Sequence, residues 1–116
     1  MNNNTKDFLI EVAKRHFLKG VEKLSCLEYQ LAEEEFKKSL TYAPDRESTL
    51  TNLGVVLIKL GKIKEAEQII NHSLRLYPEN PELLVNYGFI YLSKELLDRK
   101  STRLNSSHEW ISRMPS

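Results

Sequence analysis

Residues of one kind recur every 34 positions along this chain. Gly20, Gly54 and Gly88 keep that spacing, as do Ala32 and Ala66, Ser39 and Ser73, Leu40 and Leu74, and Pro44 and Pro78. Phe36 and Ile70, and Tyr29 and Ile63, keep it in apolar character. Within each unit a glycine comes first, Ala follows twelve positions later, and Pro twelve after that. A fixed period of this size restricts a chain to stacked copies of one supersecondary unit, each burying its apolar face against the next. The copy at 47–80 shows what the unit is. Leu50, Leu53, Gly54 and Leu57 share one helical face, and Ile63, Ala66, Ile70, Ser73 and Leu74 share another. Gly61 between them can take the left-handed conformation that ends a helix, and Pro78 cannot continue one. Gly54 and Ala66 are small enough to let the two helices approach closely.

The period and this order of residues resemble the tetratricopeptide repeat, a helix–turn–helix unit. The resemblance covers nearly all of residues 1–97. It implies an all-α fold, with antiparallel helix pairs stacked into a short right-handed solenoid of about five helices and about two and a half repeats. On this reading residues 1–12 are an extension that opens the first helix, 13–46 are repeat 1, 47–80 are repeat 2, and 81–97 are the first helix of a truncated repeat 3. The chain then reads as the N-terminal fragment of a longer array.

Repeat 1 departs from the family pattern in its first helix. Lys19 and Lys23 stand where the family has large apolar residues, and Phe17, Val21 and Leu24 supply the stripe instead. Phe8, Leu9 and Val12 extend the apolar period upstream, so this helix is expected to begin near Thr5. In repeat 3, Asn80-Pro81 is a helix-start signal, and Leu84, Tyr87, Gly88 and Tyr91 match the first-helix positions. With no second helix to follow, Leu83, Leu84, Ile90, Tyr91 and Leu92 are expected to lack part of their cover. The expected result is marginal stability, or self-association through this face.

Composition shifts at Asp98. The string DRKSTRLNSSHEWISRMPS has no apolar period, and it resembles the conceptual translation of a common sequencing adapter. Residues 98–116 are therefore read as a non-native, disordered tail. Removing the tail's four basic and two acidic residues turns 17 and 16 into 13 and 14, and a net charge of +1 into −1. No basic field then remains to favour nucleic acid or an anionic membrane. Apolar runs are too short for a membrane span, the polar start lacks a signal-peptide core, and the single cysteine excludes an internal disulfide. A cytoplasmic protein is expected.

No catalytic constellation is legible. His16 and His72 have no second ligand at metal spacing, and His72 reads as an exposed helix position. Cys26 reads as a small, partly buried side chain. Glu33-Glu34-Glu35 reads as a solvated helix face near a helix N-terminus, with Glu34 paired to Lys38 one turn on. The four glycines are scattered, so no phosphate loop is present. The chain calls for no cofactor and no metal.

The resemblance implies a groove instead, lined by the first helices of successive repeats and suited to an extended peptide. Position by position, its candidates are Lys14, Phe17, Leu18 and Val21, then Ser48, Asn52, Val55 and Ile58, then Glu82, Asn86 and Phe89. Asn52 and Asn86 hold the same place in adjacent repeats, where a carboxamide can donate to and accept from a peptide backbone at once. Family members that grip a C-terminal carboxylate use Lys, Asn, Asn, Lys and Arg at positions that here carry Phe17, Val21, Asn52, Glu82 and Asn86. One of the five matches, and Glu82 would repel a carboxylate, so that mode is rejected. The leading reading is a non-catalytic interaction module whose partner is a protein or peptide rather than nucleic acid or a membrane. The alternatives are the repeat portion of a larger enzyme, such as a peptide O-glycosyltransferase, and a small adaptor or secretion chaperone.

Overall fold

The computed structural model describes residues 2–96, with side chains from residue 5 onward, so the tail at 98–116 lies outside it. Four helices, α1 (Asn2–Ser25), α2 (Tyr29–Tyr42), α3 (Glu47–Lys59) and α4 (Ile63–Leu76), are followed by α5 over 81–96. Each of the first four packs on its neighbour in the chain, and α1 also touches α3. The expected all-α stack of helix pairs is the fold observed. α1 starts at Asn2, a turn earlier than the apolar period indicated, so the residues read as an extension are its opening turns.

The ends of the first helix in each pair are built alike. After α3, the Lys62 N–H donates to the Leu57 carbonyl at 2.9 Å and the Gly61 N–H donates to the Ile58 carbonyl at 3.0 Å. These paired bonds form a Schellman motif, with Gly61 at φ +79°. After α1, Glu28 bonds to Lys23 at 2.9 Å and Leu27 to Leu24 at 3.0 Å, and Leu27 takes φ +63°. The second helix of each pair ends before proline: α2 stops at Tyr42 and α4 at Leu76. Asn80 opens α5, its side-chain oxygen accepting the Leu83 N–H at 3.0 Å.

The core is the layer between helices. Ala32, Phe36, Leu53, Val56, Leu57, Ala66, Ile70 and Ile90 form one buried cluster, and Phe17, Val21, Leu24 and Tyr29 pack against it. A Cβ on Gly20 would lie 2.5 Å from the Phe36 ring, and one on Gly54 3.0 Å from Ile70 Cγ1. Bare backbone at these two points brings the paired helices into contact. Beneath the apolar layer runs a chain of donated hydrogen bonds from Arg46 to Thr49 (3.3 Å), Thr49 to Ser39 (3.1 Å) and Ser39 to the Ala13 carbonyl (2.7 Å). It satisfies two fully buried hydroxyls and ties α1, α2 and α3 together.

Several expectations are corrected. Glu33 is not solvated: it is 5 % exposed, with its carboxylate 2.8 Å from Lys37 and 2.9 Å from Lys62. Lys62, in the turn that opens α4, reaches across to it, and Lys37 also reaches Glu65 on α4 at 3.1 Å. Lys38 lies 3.9 Å from Glu35, in place of the anticipated pair with Glu34. Cys26 is exposed, because it sits in the turn that caps α1. Leu83 and Ile90 are fully buried, Ile90 within the core cluster formed with the preceding repeats. Leu84, Tyr91 and Leu92 are the members of that group left open, at 51, 59 and 60 % exposure.

Candidate binding groove

The first helices α1, α3 and α5 carry every groove residue anticipated from the sequence. They lie side by side: α1 touches α3, and Val55 of α3 shares a depression of about 250 Å³ with Pro81, Glu82, Val85 and Asn86 of α5. Three candidates, Val55, Glu82 and Asn86, are thus brought together. Val85 and Pro81 join them and were missed, although the position of Val85 beside Asn86 on an exposed turn could have indicated it.

Asn86 is the unusual member. Its amide nitrogen is enclosed and has no hydrogen-bond partner. Asn52, one repeat earlier, uses its amide nitrogen on its own helix, donating to the Ser48 carbonyl at 2.8 Å. Equivalent residues are therefore in different states, one internally committed and one unpartnered. An enclosed amide without an acceptor leaves roughly 1–3 kcal/mol of desolvation uncompensated.

At the α1 end the candidates divide. Lys14 and Leu18 are exposed. Phe17 and Val21 are half-buried against the core, with the Phe17 ring 5.9 Å from Phe36 and the Arg46 guanidinium 4.6 Å above it. They brace the wall between α1 and α2 more than they offer surface. Ser48 and Phe89 are exposed on α3 and α5, and Ile58 is half-buried against the core.

A second depression, of about 400 Å³, adjoins the first and shares Pro81 with it. Glu47, Tyr77, Pro78, Glu79 and Asn80 complete its lining. The Asn80 amide donates to Glu47 at 2.7 Å, and the Tyr77 hydroxyl donates to the Asp45 carbonyl, so the linker between repeats is pinned to the start of α3. This region lies in the linker rather than on a helix face, which is why helical periodicity did not single it out.

Elsewhere the titratable groups are engaged structurally. His16 Nδ1 lies 2.8 Å from Glu35, and its ring stacks on Tyr42. The hydrogen bond from His16 holds the Glu35 carboxyl below its ordinary value despite partial burial. His72 is exposed and 3.2 Å from Asp45. Among the described residues no group of three or more His, Cys, Asp or Glu is arranged to hold a metal ion. No helix among them is long and apolar enough to cross a membrane.

Comparison with known proteins agrees with the repeat architecture. The family model for the tetratricopeptide repeat matches residues 28–84, which run from the second helix of the first pair into α5. No curated protein matches the chain.

Proposed function

We propose that this chain, which belongs to the tetratricopeptide repeat family, is a non-catalytic interaction module that holds an extended peptide along α1, α3 and α5. The observation that carries the reading is Asn86, a groove-position carboxamide whose enclosed amide nitrogen lacks an acceptor beside an open depression. Rotated toward the depression, that nitrogen meets a peptide carbonyl, an acceptor that any sequence can supply. Asn52 keeps its carbonyl oxygen free for a backbone N–H one repeat away. Lys14, Ser48 and Phe89 form the exposed surface on either side of these anchors, and Phe17, Val21 and Val55 give it shape.

The test is binding of fluorescent peptides, or retention of partners from a lysate, by the chain and by Asn52→Ala, Asn86→Ala and the double variant. Each single change should weaken binding about 5- to 10-fold, which is the loss of roughly one hydrogen bond. Circular dichroism should stay unchanged. A double variant that binds every peptide and partner as the parent does would remove the basis of the proposal.

A further inference from the structure

We infer that the peptide seated at the α3–α5 end of the groove is basic, carrying Lys or Arg next to an aliphatic side chain; this rests on the groove reading above. The two adjoining depressions that meet at Pro81 are lined by three carboxylates, Glu47, Glu79 and Glu82, and by no Lys or Arg. Glu79 and Glu82 make no hydrogen bond or ion pair to the described residues, and Glu47 accepts from the neutral Asn80 amide. By contrast Glu33, Glu35, Glu65 and Glu67, on α2 and α4, each hold a Lys or His of a neighbouring helix or turn.

The other lining groups set the rest of the ligand. Val55, Pro81 and Val85 give an apolar floor within reach of Glu82. Asn86 lines the same depression, and its carboxamide, rotated about its last side-chain bond, turns the unpartnered nitrogen toward a backbone carbonyl there. A segment that fits gives its carbonyl to Asn86, lays an aliphatic side chain on the valines and aims a cation at Glu82. A second cation further along meets Glu47 and Glu79. Three like charges beside an apolar floor select against acidic segments by repulsion as well as selecting for basic ones by attraction. An acidic segment, or a free C-terminal carboxylate, meets repulsion at each of these points.

The experiment uses the full chain and two capped fluorescent nonapeptides, Ala-Ala-Val-Arg-Ala-Val-Lys-Ala-Ala and the same peptide with Glu for Arg and Lys. The basic peptide should bind about 10-fold more tightly, with the margin shrinking as salt rises. Glu82→Gln should reduce the margin and Glu82→Lys should reverse it. Glu34→Gln, an equal loss of charge on α2, should leave the margin intact. If both peptides bind equally, or Glu34→Gln acts as strongly as Glu82→Gln, the inference falls. If Asn86→Ala still weakens binding in that case, the groove reading survives without it. If neither peptide binds, both fall.

Discussion

Leu27 and Gly61 hold the same backbone position, 34 residues apart, and both adopt positive φ, at 63° and 79°. Glycine reaches that conformation freely, whereas a side chain at Leu27 crowds its own carbonyl at a cost of roughly 1–2 kcal/mol. Leu27 is 69 % exposed, so little burial offsets the strain. Leu27→Gly should stabilise the chain by about 0.5–1 kcal/mol after the greater freedom of glycine in the unfolded chain is subtracted. A urea titration reads this as a higher midpoint at unchanged slope. Gly61→Ala should shift the midpoint the other way by a similar amount.

The three glycines of the repeat should respond to alanine in a graded way. At Gly20 the added methyl meets the Phe36 ring at 2.5 Å, inside the core, and overpacking there costs roughly 1–3 kcal/mol. At Gly54 the neighbour is an Ile70 side chain at 3.0 Å that needs to give by a few tenths of an ångström, and better helix propensity offsets most of the cost. At Gly88 nothing lies within 4 Å, so the propensity gain of up to about 1 kcal/mol stands alone. Denaturation midpoints should fall in the order Gly88→Ala, Gly54→Ala, Gly20→Ala.

Acid should weaken the stack through Glu33. Burial pushes its carboxyl up, but hydrogen bonds and charge from Lys37 and Lys62 outweigh burial and hold it below the ordinary 4.5. The stability it contributes is complete above 4.5 and lost as pH falls through the lowered folded value. Lys37 works in the opposite sense: its hydrogen bond to Glu33 raises it above 10.5, and its contribution is lost as pH rises through that raised value. Both lysines are about half exposed, so solvent screens the pair. Glu33→Gln should cost about 1 kcal/mol at neutral pH. The gap from the parent should narrow as pH falls below 4.5 and through the lowered value, as urea midpoints across the range would show.

The open side of α5 should make the chain associate. Leu84, Tyr87, Tyr91 and Leu92 lie exposed around Gly88, where the corresponding glycines of the earlier repeats are covered. Contiguous apolar surface of this kind favours contact between copies. Sedimentation velocity should show a weight-average mass that rises with concentration. Leu84→Glu should return it to that of the monomer, and an invariant monomer with a sharp, high melting transition would contradict the expectation.

The fold was legible because its signals are local and repeated. Gly61 and Pro78 mark helix ends, Asn80-Pro81 marks a start, and the spacing of Leu50, Leu53 and Leu57 gives the buried face. What escaped depends on neighbours distant in sequence. Three adjacent glutamates look alike until the fold buries Glu33 against Lys62, 29 residues on, and leaves Glu34 exposed. The strain at Leu27 carries no composition signal, although its offset of one period from Gly61 was available. In the groove, the spacing of Asn52 and Asn86 was readable, but their different hydrogen bonding was not, because it depends on side-chain rotation. Glu47 and Glu79 flank the α4–α5 linker in space, which no helical face reveals.

The ion pairs that span successive copies differ from one junction to the next. Glu33 takes Lys62, whereas its counterpart Glu67 takes Lys94; the residue 34 positions beyond Lys62 is Leu96, and the one beyond Lys37 is Asn71. The apolar pattern alone would let the copies be shuffled or duplicated. The charges tell them apart, since Glu33 takes both Lys37 and Lys62 where Glu67 takes Lys94. Each unit therefore carries an address, and the array has a defined order as well as a defined period.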